Sequence, residues 1–259
     1  MRVWLTIVLL LSSSTPAFAQ SEDEKAATYQ AAAKEAFDDG MESLEDNDYL
    51  DAARKFNLVR ARFSYSQYAP LAELRLGDVY FGEEKYATAI EQYRGFIKLH
   101  PSHPSVPYAA WRVAQAFAAQ VPDEWFFMPP AYEKDQARTR DAEREIKYFL
   151  AKYPGTKYEQ AAKKQLALVR RLLADHELYV AEYYVKRDNF RAAAARLTGL
   201  LKDFSGLGLD AKGLFLLARC YLELGDNAKA KAALEDLAQY HPNDPLAAQA
   251  KDYLAQHQL

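Results

Sequence analysis

Apolar residues recur in a helical rhythm along almost the whole chain, and the stretch Leu71–Pro101 shows it most clearly. Leu71, Leu74, Gly77 and Tyr80 stand three residues apart and share one face of a helix. Tyr86, Ala89, Ile90, Tyr93, Phe96 and Ile97 form the i, i+3, i+4, i+7 stripe of a second helix. His100-Pro101 closes it, because proline pushes the residue before it out of helical conformation. Helices of about 15 residues are marginal alone in water, so this pair predicts neighbours to pack on.

The neighbours come by repetition. Small residues Gly40, Gly77, Ala114, Ala181 and Ala218 follow one another at steps of 37, 37, 67 and 37 residues. The alanine at position 89 recurs as Ala52, Ala142, Ala193 and Ala230, and the aromatic Tyr80 as Phe117, Tyr184 and Tyr221, with Ser43 in the first repeat. Pro101, Pro154 and Pro242 each close a unit. A small residue, an aromatic three later and an alanine nine beyond is the tetratricopeptide pattern. The expected fold is all-α: a right-handed tetratricopeptide-repeat α-solenoid of about five repeats with a C-terminal capping helix, its inner face suited to extended chains.

Three segments depart from the rhythm. Residues 1–19 read as a cleaved signal peptide: Arg2 supplies the positive end, Val3–Leu11 an apolar run too short to span a bilayer, and Ala17-Phe18-Ala19 the cleavage site. Between the third repeat's helices lies an insertion holding Trp125, Phe126, Phe127 and Met128 among prolines; these side chains either cover the solenoid or form a contact surface for a partner or lipid. Lys157–Lys186 lacks Pro and Gly and reads as one long helix or two abutting ones, with Lys163, Lys164, Arg170 and Arg171 on a solvated face. The expected organisation is the signal over 1–19, repeats one to three with a substrate-side groove over 20–154, and repeats four and five with the capping helix and partner docking over 155–259.

Composition narrows the function. Lys+Arg 33 against Asp+Glu 36 gives a net charge of −3, and loss of Arg2 with the signal takes it to −4. No basic run stands out, which speaks against nucleic acid. One cysteine, Cys220, excludes a disulfide framework and reads as a buried hydrophobe. The acidic turn Glu45–Asp48 lacks calcium-loop order, His100 and His103 lack a third ligand, and Asp175 and His176 are adjacent and so do not face each other on a helix. No HExxH, GxSxG, P-loop or CxxC motif is present. No cofactor, metal, catalytic group or small-molecule substrate is expected, and the working surface is an aromatic-rich groove. By repeat position Phe37, Phe81, Tyr108 and Trp111 fall on its inner face as peptide-binding candidates.

The block His176-Glu-Leu-Tyr179-Val-Ala-Glu-Tyr183-Tyr184-Val-Lys-Arg187, followed by Phe190 and Ala193–Leu197, resembles the BamD family of the outer-membrane β-barrel assembly machinery. Phe96-Ile97-x-x-His100-Pro101 and Asp135-Gln136-x-x-Thr139 are also similar, and the resemblance runs from about Ala26 to Asn243. It implies a non-enzymatic periplasmic scaffold at the inner face of the outer membrane. Its N-terminal repeats would engage unfolded barrel proteins or their C-terminal signals, and its C-terminal repeats a POTRA domain of the central barrel subunit. Arg196 is similar to the family's arginine in this helix and would meet a carboxylate of that partner. The family normally carries a lipidated cysteine directly after the signal; here Ala17-Phe18-Ala19-Gln20 has none, so membrane association through the protein partner is expected. The alternative reading is a periplasmic repeat adaptor of another envelope system, of the Tol-Pal-associated CpoB type. An enzyme on a repeat scaffold would need a polar site that no motif supplies.

Overall fold

The computed structural model describes residues 22–121 and 130–256. The expected signal peptide lies outside them. Among the described residues, regular structure is helical throughout: α1 (Glu22–Glu45), α2 (Tyr49–Arg62), α3 (Tyr68–Gly82), α4 (Tyr86–Leu99), α5 (Val106–Ala118), α6 (Ala137–Lys152), α7 (Glu159–Val185), α8 (Phe190–Asp203), α9 (Asp210–Glu223), α10 (Asn227–Tyr240) and α11 (Pro245–Gln256), with one 3-10 turn at Ala131–Glu133. No described helix is long and apolar enough to cross a membrane. The chain forms two compact units, residues 1–72 and 73–259, divided within α3.

One turn design joins the helices of a repeat. A residue with positive φ precedes the N-cap at Asn47, Glu84, Asp188 and Gly225. The caps Asp48, Asn189 and Asp226 then accept the amide hydrogen of the third helical residue (Asp51, Ala192 and Lys229), satisfying a donor that the first turn leaves open. The acidic turn Glu45–Asp48 is thus a helix stop and a cap.

In the first unit, α1 and α2 pack through Ala33, Phe37 and Gly40 on one side and Ala52, Phe56 and Val59 on the other, all buried. The Phe56 ring lies over Gly40, where an added Cβ would stand 2.7 Å from Cε1. Ser43 donates to Asp51 Oδ2 at 2.8 Å and accepts from Lys55 Nζ at 2.8 Å, tying the two helices at their polar edge.

The second unit repeats this packing. Tyr93 of α4 lies over Gly77 of α3, with 2.5 Å from its Cε1 to where a Cβ would be. Ala89, Ala142, Ala193 and Ala230 are fully buried, as are Ala181 and Ala218. These are the positions the repeat spacing marks, so the tetratricopeptide assignment holds within the unit. Helix α7 absorbs one break in period. It is a single helix of 27 residues, about 40 Å long. Its first half buries Ala162 and Val169 with Ile146 and Phe149 of α6; its second half buries Ala174, Leu178 and Ala181 with Leu197 of α8.

On the expected solvated face of α7, Lys163, Lys164 and Arg171 are exposed and Arg170 is half-buried, and both arginines also make specific contacts. Arg170 donates to the Asp203 carbonyl, and Arg171 to the Leu207 carbonyl at 2.6 Å and to Asp175 at 2.9 Å. They hold the α8–α9 loop, where Gly206 and Gly208 (φ +80 each) take the left-handed conformation that glycine allows. Cys220 is buried in α9, as expected.

Candidate protein-interaction sites

On α3 and α5 of the second unit, polar side chains interrupt two otherwise apolar helices. Arg75, Asp78 and Phe81 share one face of α3, and Tyr108, Arg112 and Gln115 one face of α5. They meet around the Asp78 carboxylate, 7% exposed. Tyr93 donates to its Oδ1 at 2.6 Å and Tyr108 at 2.8 Å; Arg112 Nε lies 3.2 Å from the same oxygen, and Arg75 reaches Oδ2 at 2.7 Å. Arg112 Nε also donates to the Tyr93 hydroxyl at 3.0 Å. Burial, then the neighbouring Asp78 charge, pushes the Tyr93 and Tyr108 phenols well above their ordinary range, so both stay neutral donors. Burial opposes the charge of Arg75, and Asp78 more than offsets it.

Two guanidiniums around one carboxylate leave an excess positive charge at this face. It is presented with aromatic surface: the Arg112 guanidinium stacks 3.8 Å from the Phe81 ring centre, and Arg75 lies 5.4 Å from that of Tyr108. Arg112 NH1 further reaches Gln115 at 3.4 Å. Such a surface offers flat apolar area to a peptide and fixed donors to its carbonyls or carboxylates.

The four aromatic candidates therefore separate. Phe81 and Tyr108 are half-buried and belong to this cluster. Trp111, 6% exposed, packs against Phe149 of α6 with ring centres 5.5 Å apart. Phe37 belongs to the first unit, 9% exposed, with its ring 5.6 Å from both Phe56 and Tyr68. Trp125, Phe126 and Phe127 lie outside the described residues. Periodicity does not single out Arg75, Asp78 or Arg112; the available signal is Arg112 as the one charged residue of α5.

Arg196 stands on α8, its side chain 44% exposed. Its NH1 donates to Glu177 Oε2 of α7 at 3.0 Å, and Arg140 of α6 reaches the other oxygen at 3.8 Å. Glu177 thus orients the guanidinium and leaves further N–H groups toward solvent. The start of α7's second half is anchored nearby by His176 Nδ1, 2.6 Å from the Tyr132 carbonyl, and by the Tyr132 ring on Tyr179 at 5.6 Å.

The family described as "YfiO: Outer membrane lipoprotein" matches residues 29–237. The outer membrane protein assembly factor BamD of Caulobacter vibrioides is 27% identical over 205 residues, 79% of this chain and 65% of its own, so this chain spans under two thirds of that relative. BamD of Haemophilus influenzae is 27% identical over 203 residues, 78% of either chain. BamD of Neisseria meningitidis serogroup A is 23% identical over 254 residues, 96% of this chain and 94% of its own. Among solved structures, the TPR2AB domain of yeast Sti1 in its pHSP90 complex aligns with 87% of this chain and 85% of its own at a TM-score of 0.45 and 12% identity.

Proposed function

Because the chain belongs to the YfiO family of outer-membrane lipoproteins, we propose that it acts in outer-membrane protein assembly as a non-enzymatic periplasmic scaffold. The observation that carries this reading is the family match over residues 29–237, joined by the BamD relatives of three bacteria. In this role the chain holds an unfolded barrel protein at one surface and docks the POTRA domain of the central barrel subunit at another.

The face around Asp78 suits the holding of an unfolded chain. An extended segment laid across α3 and α5 meets the Phe81 and Tyr108 rings and the Arg75 and Arg112 donors, so aromatic residues and a carboxylate both find partners. The Asp78 bonds fix these groups before binding and limit the ordering cost. Arg196 suits the docking of the POTRA domain, since Glu177 pre-orients it and a partner carboxylate completes its fork.

The test is co-purification from envelope extract with wild-type protein and Arg196→Glu. Wild type is expected to recover a POTRA-bearing barrel protein and the variant to lose it, since the introduced glutamate faces both Glu177 and the partner's acid. Recovery by both removes Arg196 from the interface and leaves the scaffold role standing. Recovery of a Tol-Pal component with no POTRA-bearing protein overturns the assembly reading.

A further inference from the structure

Helix α5 has a second working face. Ala110 and Val113 lie about half a turn around the helix from Tyr108 and Arg112. They form the floor of an open pocket of about 380 Å³ between α4 and α6, with Ile97 beside them and Tyr148 and Tyr153 as its wall. Tyr148 is 54% exposed, a large aromatic held at the mouth of an apolar depression. The volume is in the range of built ligand sites and holds one or two bulky side chains.

The mouth is positive. Arg94, Lys98, Arg144 and Lys152 border it, against the single carboxylate of Glu145. Glu145 engages Arg94 at 3.0 Å, and Arg144 turns to Asp141 at 2.8 Å. Among the described residues no carboxylate pairs with Lys98 or Lys152. Lys152 instead donates to the Tyr148 hydroxyl at 2.8 Å and stands 5.3 Å from that ring's centre, an ammonium poised on the pocket wall. The next cation along α6, Lys147, pairs with Glu143 at 2.5 Å, a carboxylate that Arg170 also approaches at 3.5 Å. The rim thus carries two cations without a carboxylate partner among the described residues, Lys98 and Lys152, as suits a short acidic segment, whereas a membrane surface would favour a broad basic face.

We propose that this pocket docks a short acidic segment of a partner chain, one bulky apolar side chain filling the Ile97–Ala110–Val113 floor and a flanking carboxylate bridging Lys98 and Lys152. The site is separate from the Asp78 face and from Arg196, so it stands or falls independently of the assembly role.

The probe is a fluorescein-labelled peptide, Glu-Asp-Phe-Asp-Glu, followed by anisotropy with the full chain at about 0.15 M salt, where exposed charges act over about 8 Å. Saturable binding is expected, weakened about tenfold or more, or 1.4 kcal/mol, by K98E/K152E. Replacing the peptide's Phe by Ser should cost a similar factor, and Ile97→Ser should weaken binding with an unchanged helical circular dichroism spectrum. Lys98 and Lys152 are exposed, so their reversal leaves the fold intact. Equal binding by wild type and K98E/K152E overturns the proposal, as does the absence of saturation up to millimolar peptide. Sedimentation with phosphatidylglycerol vesicles in place of the peptide, lost in K98E/K152E while the peptide fails to bind, assigns the rim to a lipid surface and also overturns it.

Discussion

Gly77 has no room for a methyl group. A Cβ there would stand 2.5 Å from Tyr93 Cε1, and Tyr93 cannot swing aside because its hydroxyl is held by Asp78 at 2.6 Å and Arg112 at 3.0 Å. Gly77→Ala is therefore expected to destabilise the second unit by about 1–3 kcal/mol, the overpacking loss exceeding the helix-propensity gain. Gly95 in α4 offers the control: nothing lies within 4 Å of its added Cβ. Gly95→Ala should stabilise by about 0.5–1 kcal/mol through propensity alone. Urea midpoints at constant m-value test both, and a shift of the same sign in the two variants would remove Tyr93 as the cause. The close approach at Gly77 is legible in the sequence because a small residue must recur wherever one helix crosses another at a fixed register. The Arg75–Asp78–Arg112 cluster is not. Periodicity says which residues share a helix face, but the partners of Asp78 come from three helices, and acidic and basic residues at helical spacing read equally well as exposed ion pairs. The same limit applies to Phe37 and Trp111, since an inner-face position and an inter-helix core position differ only by what packs over them.

Among the helices, α7 is the one whose sequence leaves two descriptions open, one long helix or two abutting, because an unbroken stretch without Pro or Gly carries no stop signal. The structure makes it one helix, and the reason is packing on both halves: Val169 is buried in the same core as Phe149, and Leu178 in the same core as Leu197. Continuity should then be a source of stability. Ala167 is exposed, so a substitution there acts on the backbone alone. Ala167→Pro removes an i→i−4 bond and drives its ring against the Lys163 carbonyl, and is expected to cost at least about 3 kcal/mol, against about 1 kcal/mol for Ala167→Gly. A single unfolding transition at lower denaturant is the expected result by circular dichroism. A proline variant within about 0.5 kcal/mol of wild type would mean that the two halves stand as separate helices. The flanking arginines explain why the basic character of this segment reads as surface: Arg170 and Arg171 find backbone carbonyls of a loop more than thirty residues on, a pairing that spacing along one helix does not reveal.

At the scale of the whole molecule, each core of the second unit is built by helices adjacent in the chain, so stability should be passed between neighbours. The last described helix tests this. Helix α11 lays Leu246, Tyr253 and Leu254 over Ala211, Phe215, Leu234 and Leu237, with the Tyr253 and Phe215 ring centres 5.4 Å apart. Full burial of a large apolar side chain contributes about 1.5–3 kcal/mol. The three α11 side chains are partly buried, so removing them should cost a few kcal/mol and leave Phe215 and Leu237 facing water. Truncation after Asp244 is expected to speed amide exchange in α9 and α10 by at least about tenfold while α4 to α6 keep their protection, because in a nearest-neighbour array the loss is local. The truncated protein should also self-associate through the uncovered face. A uniform loss of protection from α4 to α10 would instead make the unit one cooperative block, with the continuous α7 as the element that joins its two ends. The Arg196 surface would then report on changes at α11, and truncation would weaken the docking proposed there without touching its residues; local loss predicts that this proposed docking is unaffected.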